Sequence, residues 1–239
     1  MRTMITLLIT LLFSPLAHAK LRVVTTIQTF KSLAEQVGGD NIEVTALVGD
    51  AIDPHHVDAR PSYALTLNRA DLLVRVGLDL ESAWLPPLLE QARNPRIQVG
   101  QPGHLDASTS GIAVLERGGS VSRAQGDIHP LGNPHYWLTP ANALNVAKAI
   151  TERLSAIDGA NAATYHQRLQ VFAAKLEAKK RGWAERARPL VGAKVVTYHK
   201  SWSYLTGLFG MVEIGAIEPK PGVPPDPSHL AERVRPATS

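Results

Sequence analysis

Three histidines stand in three separate turns of this 239-residue chain, and their shared chemistry is metal ligation. They are His55 in Asp-Pro-His, His135 in Asn-Pro-His and His199 in Val-Thr-Tyr-His. Neutral imidazole is the commonest protein metal ligand, and it suits Zn²⁺ well. Each histidine falls where a strand or loop is expected to give way to a helix, so its side chain can point into a cleft. The pattern predicts a metal site if the fold brings the three turns together.

The neighbours of each histidine support this interpretation, although each motif taken alone has a plainer explanation. Asp53 can hold the His55 ring through a hydrogen bond, but a surface turn with two histidines would have the same sequence. Prolines and aromatics fix His135 beside Thr139, a candidate N-cap, which also fits a packed loop–helix junction. His199 is expected at the carboxyl end of a strand, which is where ligands bind in α/β folds. The plainer explanation is a residue at the end of a strand whose ring is hydrogen-bonded only to the backbone.

Strand and helix patterns alternate through the first part of the chain. This alternation predicts an α/β lobe with a mainly parallel sheet. The stretch 100–134 is the least regular and is interpreted as a surface loop. The predicted strands are 21–26, 42–48 and 72–76, and the predicted helices are 28–37, 61–70 and 82–92.

A long helix is predicted to join this lobe to a smaller one. After a helix at 140–157, the helical pattern of 161–188 would span roughly 35–40 Å, and its apolar stripe is assigned to packing. Beyond Pro189, a second strand–helix–strand unit is predicted. Its elements are 194–197, 201–208 and 211–217, followed by a helix from Ser228 to Val234.

The N-terminus has the pattern of a secretory signal. Arg2 precedes an apolar run at 4–16, and Ala-His-Ala at 17–19 predicts cleavage after Ala19 and a periplasmic protein. The chain has no cysteine, so neither a disulfide nor a cysteine-linked lipid anchor is expected. The formal net charge of +4 comes from scattered basic residues, so a nucleic-acid partner is not expected.

Four motifs together resemble the metal-binding proteins of bacterial ABC importers for zinc and manganese. Their order and spacing are more specific than any single histidine, and the resemblance extends from Lys20 to Leu230. The motifs are Asp53-Pro54-His55, Asn133-Pro134-His135-Tyr136-Trp137-Leu138, Tyr198-His199-Lys200-Ser201-Trp202 and Pro221-Gly222-Val223-Pro224-Pro225.

The resemblance implies two α/β lobes joined by a long, rigid helix, with metal in the cleft between them. His55 and His135 would be ligands from the first lobe, and His199 a ligand from the second. The expected division is a signal peptide (1–19), an N-terminal metal-binding lobe (20–158), a linking helix (159–189) and a truncated C-terminal lobe (190–239).

Family members usually run further, and the further segment normally carries an acidic fourth ligand and the last strands of the second lobe. The second lobe is therefore expected to be incomplete, with unpaired strand edges. Whether water, Asp226 or another residue takes the place of the acidic ligand is open. His129 is interpreted as an accessory or fortuitous histidine rather than as a direct ligand.

The resulting hypothesis is a monomeric, non-enzymatic protein that captures a divalent transition metal and delivers it to an ABC permease. Zn²⁺ is favoured over Mn²⁺ because three imidazoles suit zinc, whereas manganese prefers oxygen donors. One alternative is a zinc-dependent hydrolase with an open three-histidine site, although the His-Glu-x-x-His and Gly-x-Ser-x-Gly signatures are absent. A second is a truncated, non-functional binding protein.

Overall fold

The computed structural model describes residues 19–116, 129–218 and 223–234. The predicted signal peptide lies almost entirely outside the described residues. The first lobe contains a four-stranded parallel sheet in the order β2-β1-β3-β4. Its elements are β1 (Leu21–Thr25), α1 (Gln28–Gly38), β2 (Ile42–Ala46), α2 (Pro61–Asn68), β3 (Leu72–Arg75), α3 (Leu85–Ala92) and β4 (His104–Asp106).

Helices cover both faces of this sheet, which is why its strands have continuous apolar runs. Successive strand residues point to opposite faces. Val23 and Val74 pack in one cluster with Phe30 of α1, whereas Val24 and Leu73 belong to the cluster on the opposite face. The first lobe therefore has a buried core on each side of the sheet.

The sequence prediction was wrong about β4 and about the start of α3. β4 lies inside the stretch interpreted as a surface loop. It has only three residues and no apolar run, and its pairing with β3 defines it. Helix α3 begins at Leu85 rather than at position 82, because two prolines occupy its first turn, where their missing N–H groups cost nothing.

Two long helices follow the sheet. They are α4 (Pro140–Ile157) and α5 (Ala162–Ala187). The first half of α5 packs on the core through Tyr165, Leu169 and Phe172. Further along, Leu176 and Trp183 line an apolar groove beside the second lobe. The predicted apolar stripe therefore packs on the core in its first half and lines a groove in its second.

The second lobe contains β5 (Lys194–Thr197), α6 (Ser203–Leu208), β6 (Val212–Ala216) and α7 (Pro227–Val234). Its two strands pair in parallel, and every residue in them is half-buried or exposed. Two α/β lobes joined by a long helix confirm the predicted fold class. The predicted domain boundaries stay predictions. Within the described ranges, no helix is both long enough and apolar enough to cross a membrane.

Candidate metal centre

The first lobe presents its functional side chains at the carboxyl ends of its strands. The chain leaves β1 for β2 on one side and returns to β3 on the other. Such a switch point leaves a crevice outside the strand ends, where α/β proteins bind ligands. His55 lies in the loop after β2, and Tyr136, next to His135, donates a hydrogen bond to the carbonyl of Val76, directly after β3 (2.7 Å).

The loop that carries His55 is fixed from two sides. The indole N–H of Trp84, a residue only 2% exposed, donates to the carbonyl of Pro54 (3.0 Å). Asp53 Oδ1 accepts hydrogen bonds from the backbone N–H and the Nδ1 of His55 (2.9 and 2.7 Å). The hydrogen bond from the His55 ring, the largest of several effects, holds the pKa of Asp53 below its usual range. Asp53 is therefore an ionised acceptor.

His135 is the most deeply buried of the three histidines. Asn133 Oδ1 accepts hydrogen bonds from its backbone N–H and from its Nδ1 (3.0 and 2.8 Å). Burial, followed by the charges of His55 and His199, lowers the pKa of His135 to about 2. The ring is therefore neutral at physiological pH, which is the form that binds metals.

A buried carboxyl group supports the same wall of the site. Glu81 is 1% exposed and accepts hydrogen bonds from the backbone N–H groups of Val76 and Gly77 (2.6 and 3.0 Å) and from Thr26 Oγ1 (2.7 Å). Burial raises the pKa of Glu81. The carbonyl of Val76 in turn accepts a hydrogen bond from the Tyr136 hydroxyl. The hydrogen bonds of Glu81 and Tyr136 therefore fix the turn beside His135 against the end of β3.

His199 and Glu218 lie at the corresponding ends of the two second-lobe strands. Parallel pairing brings the carboxyl ends of β5 and β6 to the same edge, and backbone bonds from Ile217 to Thr197 (2.7 Å) and from Glu218 to Tyr198 (3.0 Å) continue beyond the strands. The Nδ1 of His199 is consequently 2.8 Å from Glu218 Oε2. A carboxylate thus holds the second-lobe histidine as Asp53 holds His55.

The structure brings the three predicted histidines together. Their ligand nitrogens all lie within 4.8 Å of one another. The ring centroids are 5.2 Å apart for His55–His135 and for His55–His199, and 5.3 Å apart for His135–His199. Each Nδ1 faces an oxygen acceptor, so each ring carries its proton there and leaves the lone pair of Nε2 for a metal. The three rings line a cleft of about 650 Å³.

Asn133 also joins the two lobes, a role that sequence reasoning missed. Its Nδ2 donates to the carbonyl of Lys200 (2.8 Å), and its own carbonyl accepts the hydroxyl of Tyr204 (2.8 Å). The backbone N–H of Leu115 donates to the same hydroxyl (2.9 Å). The Asx-Pro-His pattern shared with position 53 could have revealed Asn133 as the partner of His135, but no comparable pattern marks Glu218 as the partner of His199.

The remaining described histidines differ in their surroundings. His104 is buried, with its Nδ1 on the carbonyl of Ile97 (2.9 Å). His166 is exposed on α5. His129, interpreted as accessory, lies beside the triad, with its Nε2 3.1 Å from the Nε2 of His55.

The three imidazoles with two carboxylates behind them can bind a divalent transition metal. The carboxylates offset part of the metal's charge through the rings, and they fix the tautomers. Asp53 and Glu218 each hold a ring, so neither is oriented as a general base towards a metal-bound water. The arrangement is suited to holding a metal rather than to hydrolysis.

Known proteins with similar sequences have names that refer to metal binding. The chain is 25% identical over 221 residues to the zinc-binding lipoprotein AdcA of Streptococcus pneumoniae serotype 4, with 90% of this chain and 42% of AdcA covered. It is 26% identical over 197 residues to the manganese ABC transporter substrate-binding lipoprotein PsaA of the same organism, and the match covers 80% of this chain and 60% of PsaA. The chain thus spans only about half the length of these relatives.

Solved structures with a similar fold belong to the same class of metal-binding protein as these relatives. A crystal structure of ZnuA superposes with a TM-score of 0.75 at 26% identity, covering 92% of this chain and 78% of that one. The family model described as "Zinc-uptake complex component A periplasmic" (ZnuA) matches residues 23–238. This family is one of metal-binding transport proteins and not of enzymes, as the sequence predicted. The chain belongs to the periplasmic zinc-uptake component A family.

Proposed function

We propose that this protein captures a divalent transition metal, Zn²⁺, in the cleft between its lobes and delivers it to an ABC permease. The metal would be held by the Nε2 atoms of His55, His135 and His199. It is the cargo of transport, and the chain would act as a periplasmic, monomeric carrier after cleavage following Ala19.

One observation carries the proposal: three histidines from distant parts of the chain converge with their Nδ1 atoms already occupied. The Zn–N distance of zinc sites, 2.0–2.1 Å, corresponds to about 3.3 Å between ligand nitrogens in a tetrahedral site. In the structure the three ligand nitrogens lie within 4.8 Å of one another. The rings would therefore need to move together by at most about 1.5 Å to bind one ion. A structural cluster of histidines would not need all three Nδ1 atoms to be held by oxygen acceptors, which leaves each Nε2 for the ion.

The donor set favours zinc. The relatives' names mention both zinc and manganese, and the chain is about equally similar to both, with identities of 25% and 26%. Sequence identity therefore does not indicate which metal this chain binds. Three neutral nitrogens suit Zn²⁺, whereas Mn²⁺ binds more strongly to oxygen-rich sites. The carboxylates of Asp53 and Glu218 face histidine rings, so both would have to turn to offer oxygens to manganese.

The position of the ligands also suits delivery. His55 and His135 belong to the first lobe and His199 to the second, so a bound ion would link the lobes and its release would require them to separate. Capture and release by relative movement of two lobes is a known form of domain closure. A permease that pulls the lobes apart would break the bond to His199 and leave the ion on the two histidines of the first lobe, which hold it less tightly.

The test is a zinc titration of the purified protein by calorimetry with a competing chelator. We expect about one Zn²⁺ per chain and at least a tenfold loss of affinity, about 1.4 kcal/mol, in each of H55A, H135A and H199A. H166A is the matched control, because His166 is exposed on α5, outside the cleft. Unchanged affinity in H135A would refute the proposal.

A further inference from the structure

We propose that His129 is a fourth ligand to the captured metal, bound through Nε2 from the side of His55. The inference rests on the proposed function, since it concerns the same ion. It would give the ion a site made of four imidazoles.

The first observation is the approach of two ring nitrogens. His129 Nε2 lies 3.1 Å from His55 Nε2, and the ring centroids are 5.1 Å apart. This separation is close to the value of about 3.3 Å for two imidazoles on one tetrahedral zinc ion. His129 therefore already stands at ligand spacing from one member of the triad.

The second observation is the direction of the lone pairs. Asp53 accepts a hydrogen bond from the Nδ1–H of His55, so the Nε2 of His55, which lies beside His129, carries a lone pair. Two ring nitrogens 3.1 Å apart share either a hydrogen, carried by His129 Nε2 in the metal-free protein, or a metal ion. Binding of the ion would move that hydrogen from Nε2 to Nδ1 of the neutral His129 ring. A Zn²⁺ on His55 Nε2 would thus meet the Nε2 of His129 next.

The third observation is that the segment carrying His129 is held by the one carrying His135. The carbonyl of His129 accepts the N–H of Gly132 (2.9 Å), and the N–H of Asn133 donates to Leu115 (2.9 Å). Gly132 has a φ of 117°, which glycine adopts without strain. The tight turn keeps His129 within reach of the site, although its ring centroid is still 6.4 Å from that of His135. The nitrogens within 4.8 Å of one another are those of His55, His135 and His199, so the His129 ring would move towards His135 and His199 to complete four-coordination.

Coordination chemistry supplies the reason for a fourth nitrogen. Zinc sites without an open catalytic position have four ligands, and the histidine triad offers three. A fourth imidazole would also strengthen discrimination against Mn²⁺, which prefers oxygen. Zinc should therefore lose more affinity than manganese when His129 is removed.

The experiment compares the wild type with H129A, H129Q and H166A by zinc-edge X-ray absorption and by chelator-competed Zn²⁺ and Mn²⁺ titrations. We expect four imidazoles in the wild type, three in H129A and H129Q, and roughly a tenfold or greater loss of zinc affinity. Glutamine can still donate a hydrogen bond to His55 but is a poor zinc ligand. H129Q should therefore resemble H129A if His129 is a ligand.

Three imidazoles in the wild type, wild-type affinity in H129Q, or tighter zinc binding in H129A would each overturn the inference. Tighter binding would mean that His129 competes with the metal for His55. H135A separates this failure from failure of the proposed function. If H135A loses zinc while H129A does not, only the fourth ligand is wrong, and if H135A keeps zinc, the site itself is wrong.

Discussion

Glu218 Oε2 lies 2.8 Å from the Nδ1 of His199, across the carboxyl ends of the two parallel strands of the second lobe. Both side chains are largely buried, with 11% of Glu218 and 18% of His199 exposed. Only one strand–helix–strand unit separates the two residues, so the pairing of β5 with β6 is enough to hold the His199 ring in a fixed orientation.

Removing the carboxylate of Glu218 should weaken zinc binding. We expect E218A to lose about 10- to 100-fold in affinity, the usual effect of losing the partner of a metal-bound histidine. E218Q should lose less, because its amide oxygen still accepts the Nδ1 proton. Chelator-competed titration measures both variants.

Glu213 provides the control for this prediction. It lies in the same lobe and accepts the hydroxyls of Thr197 (2.6 Å) and Ser203 (3.1 Å) rather than a histidine. E213Q should disturb the lobe with little effect on zinc affinity. Equal losses in E213Q and E218Q would show that the effect comes from the stability of the lobe and not from the orientation of His199.

Asn133 combines two roles that substitutions can separate. N133D keeps an oxygen for the His135 ring but loses the N–H donor to Lys200 and places a carboxylate against that carbonyl. We expect N133D to lower the free energy of unfolding by about 1–3 kcal/mol, the cost of an unsatisfied buried group. N133L should lose the orientation of His135 as well. Denaturant unfolding with and without zinc measures both effects, and wild-type stability in N133D would contradict the bridging role.

The metal-free protein should lose stability on mild acidification. His135 has a pKa of about 2 when folded and an ordinary value of 6.5, so between these values the unfolded chain binds a proton that the folded chain does not. The free energy of unfolding then rises with pH across this window, by at most about 1.4 kcal/mol per pH unit for one such group. Stability is lost as the pH falls below 6.5.

Comparison with H135N isolates this contribution. Burial also lowers the pKa of His104 and raises that of Glu81. Both proteins share these two shifts, so the slope in H135N should be less positive than in the wild type. Denaturant unfolding is measured in the presence of a chelator between about pH 5 and 7, which lies above the ordinary range of exposed carboxyl groups and of Asp53, whose pKa is lowered. Identical slopes in the two proteins would contradict the pKa shift of His135.

Hydrogen exchange should differ between the lobes. The strands β5 and β6 have no fully buried residue, whereas Val23, Leu72, Leu73 and Val74 of β1 and β3 are at most 1% exposed. We expect faster amide exchange after Pro189 than in 21–76, because local opening follows low burial. Zinc should slow exchange in β5 and β6 in the wild type but not in H199A. Equal protection of both lobes without metal would contradict the prediction.

The elements of the fold follow from local patterns in the sequence. Apolar β-branched runs predicted β1, β2 and β3, and periodic apolar positions predicted α1, α4 and α5 close to their observed bounds. These features depend on residues within one or two turns of each other. The motifs around the three histidines identified the family for the same reason, since each is a short contiguous segment.

Only the tertiary structure decided how the site is supported. β4 exists because β3 offers it a partner, and the contact between Trp84 and Pro54 joins residues 30 positions apart. The pairing of Glu218 with His199 depends on the register of β5 and β6, and the 3.1 Å approach of His129 to His55 joins positions 74 residues apart. A sequence specifies the chemistry of each side chain locally, but which nitrogen meets which oxygen depends on packing between elements that are distant in the chain.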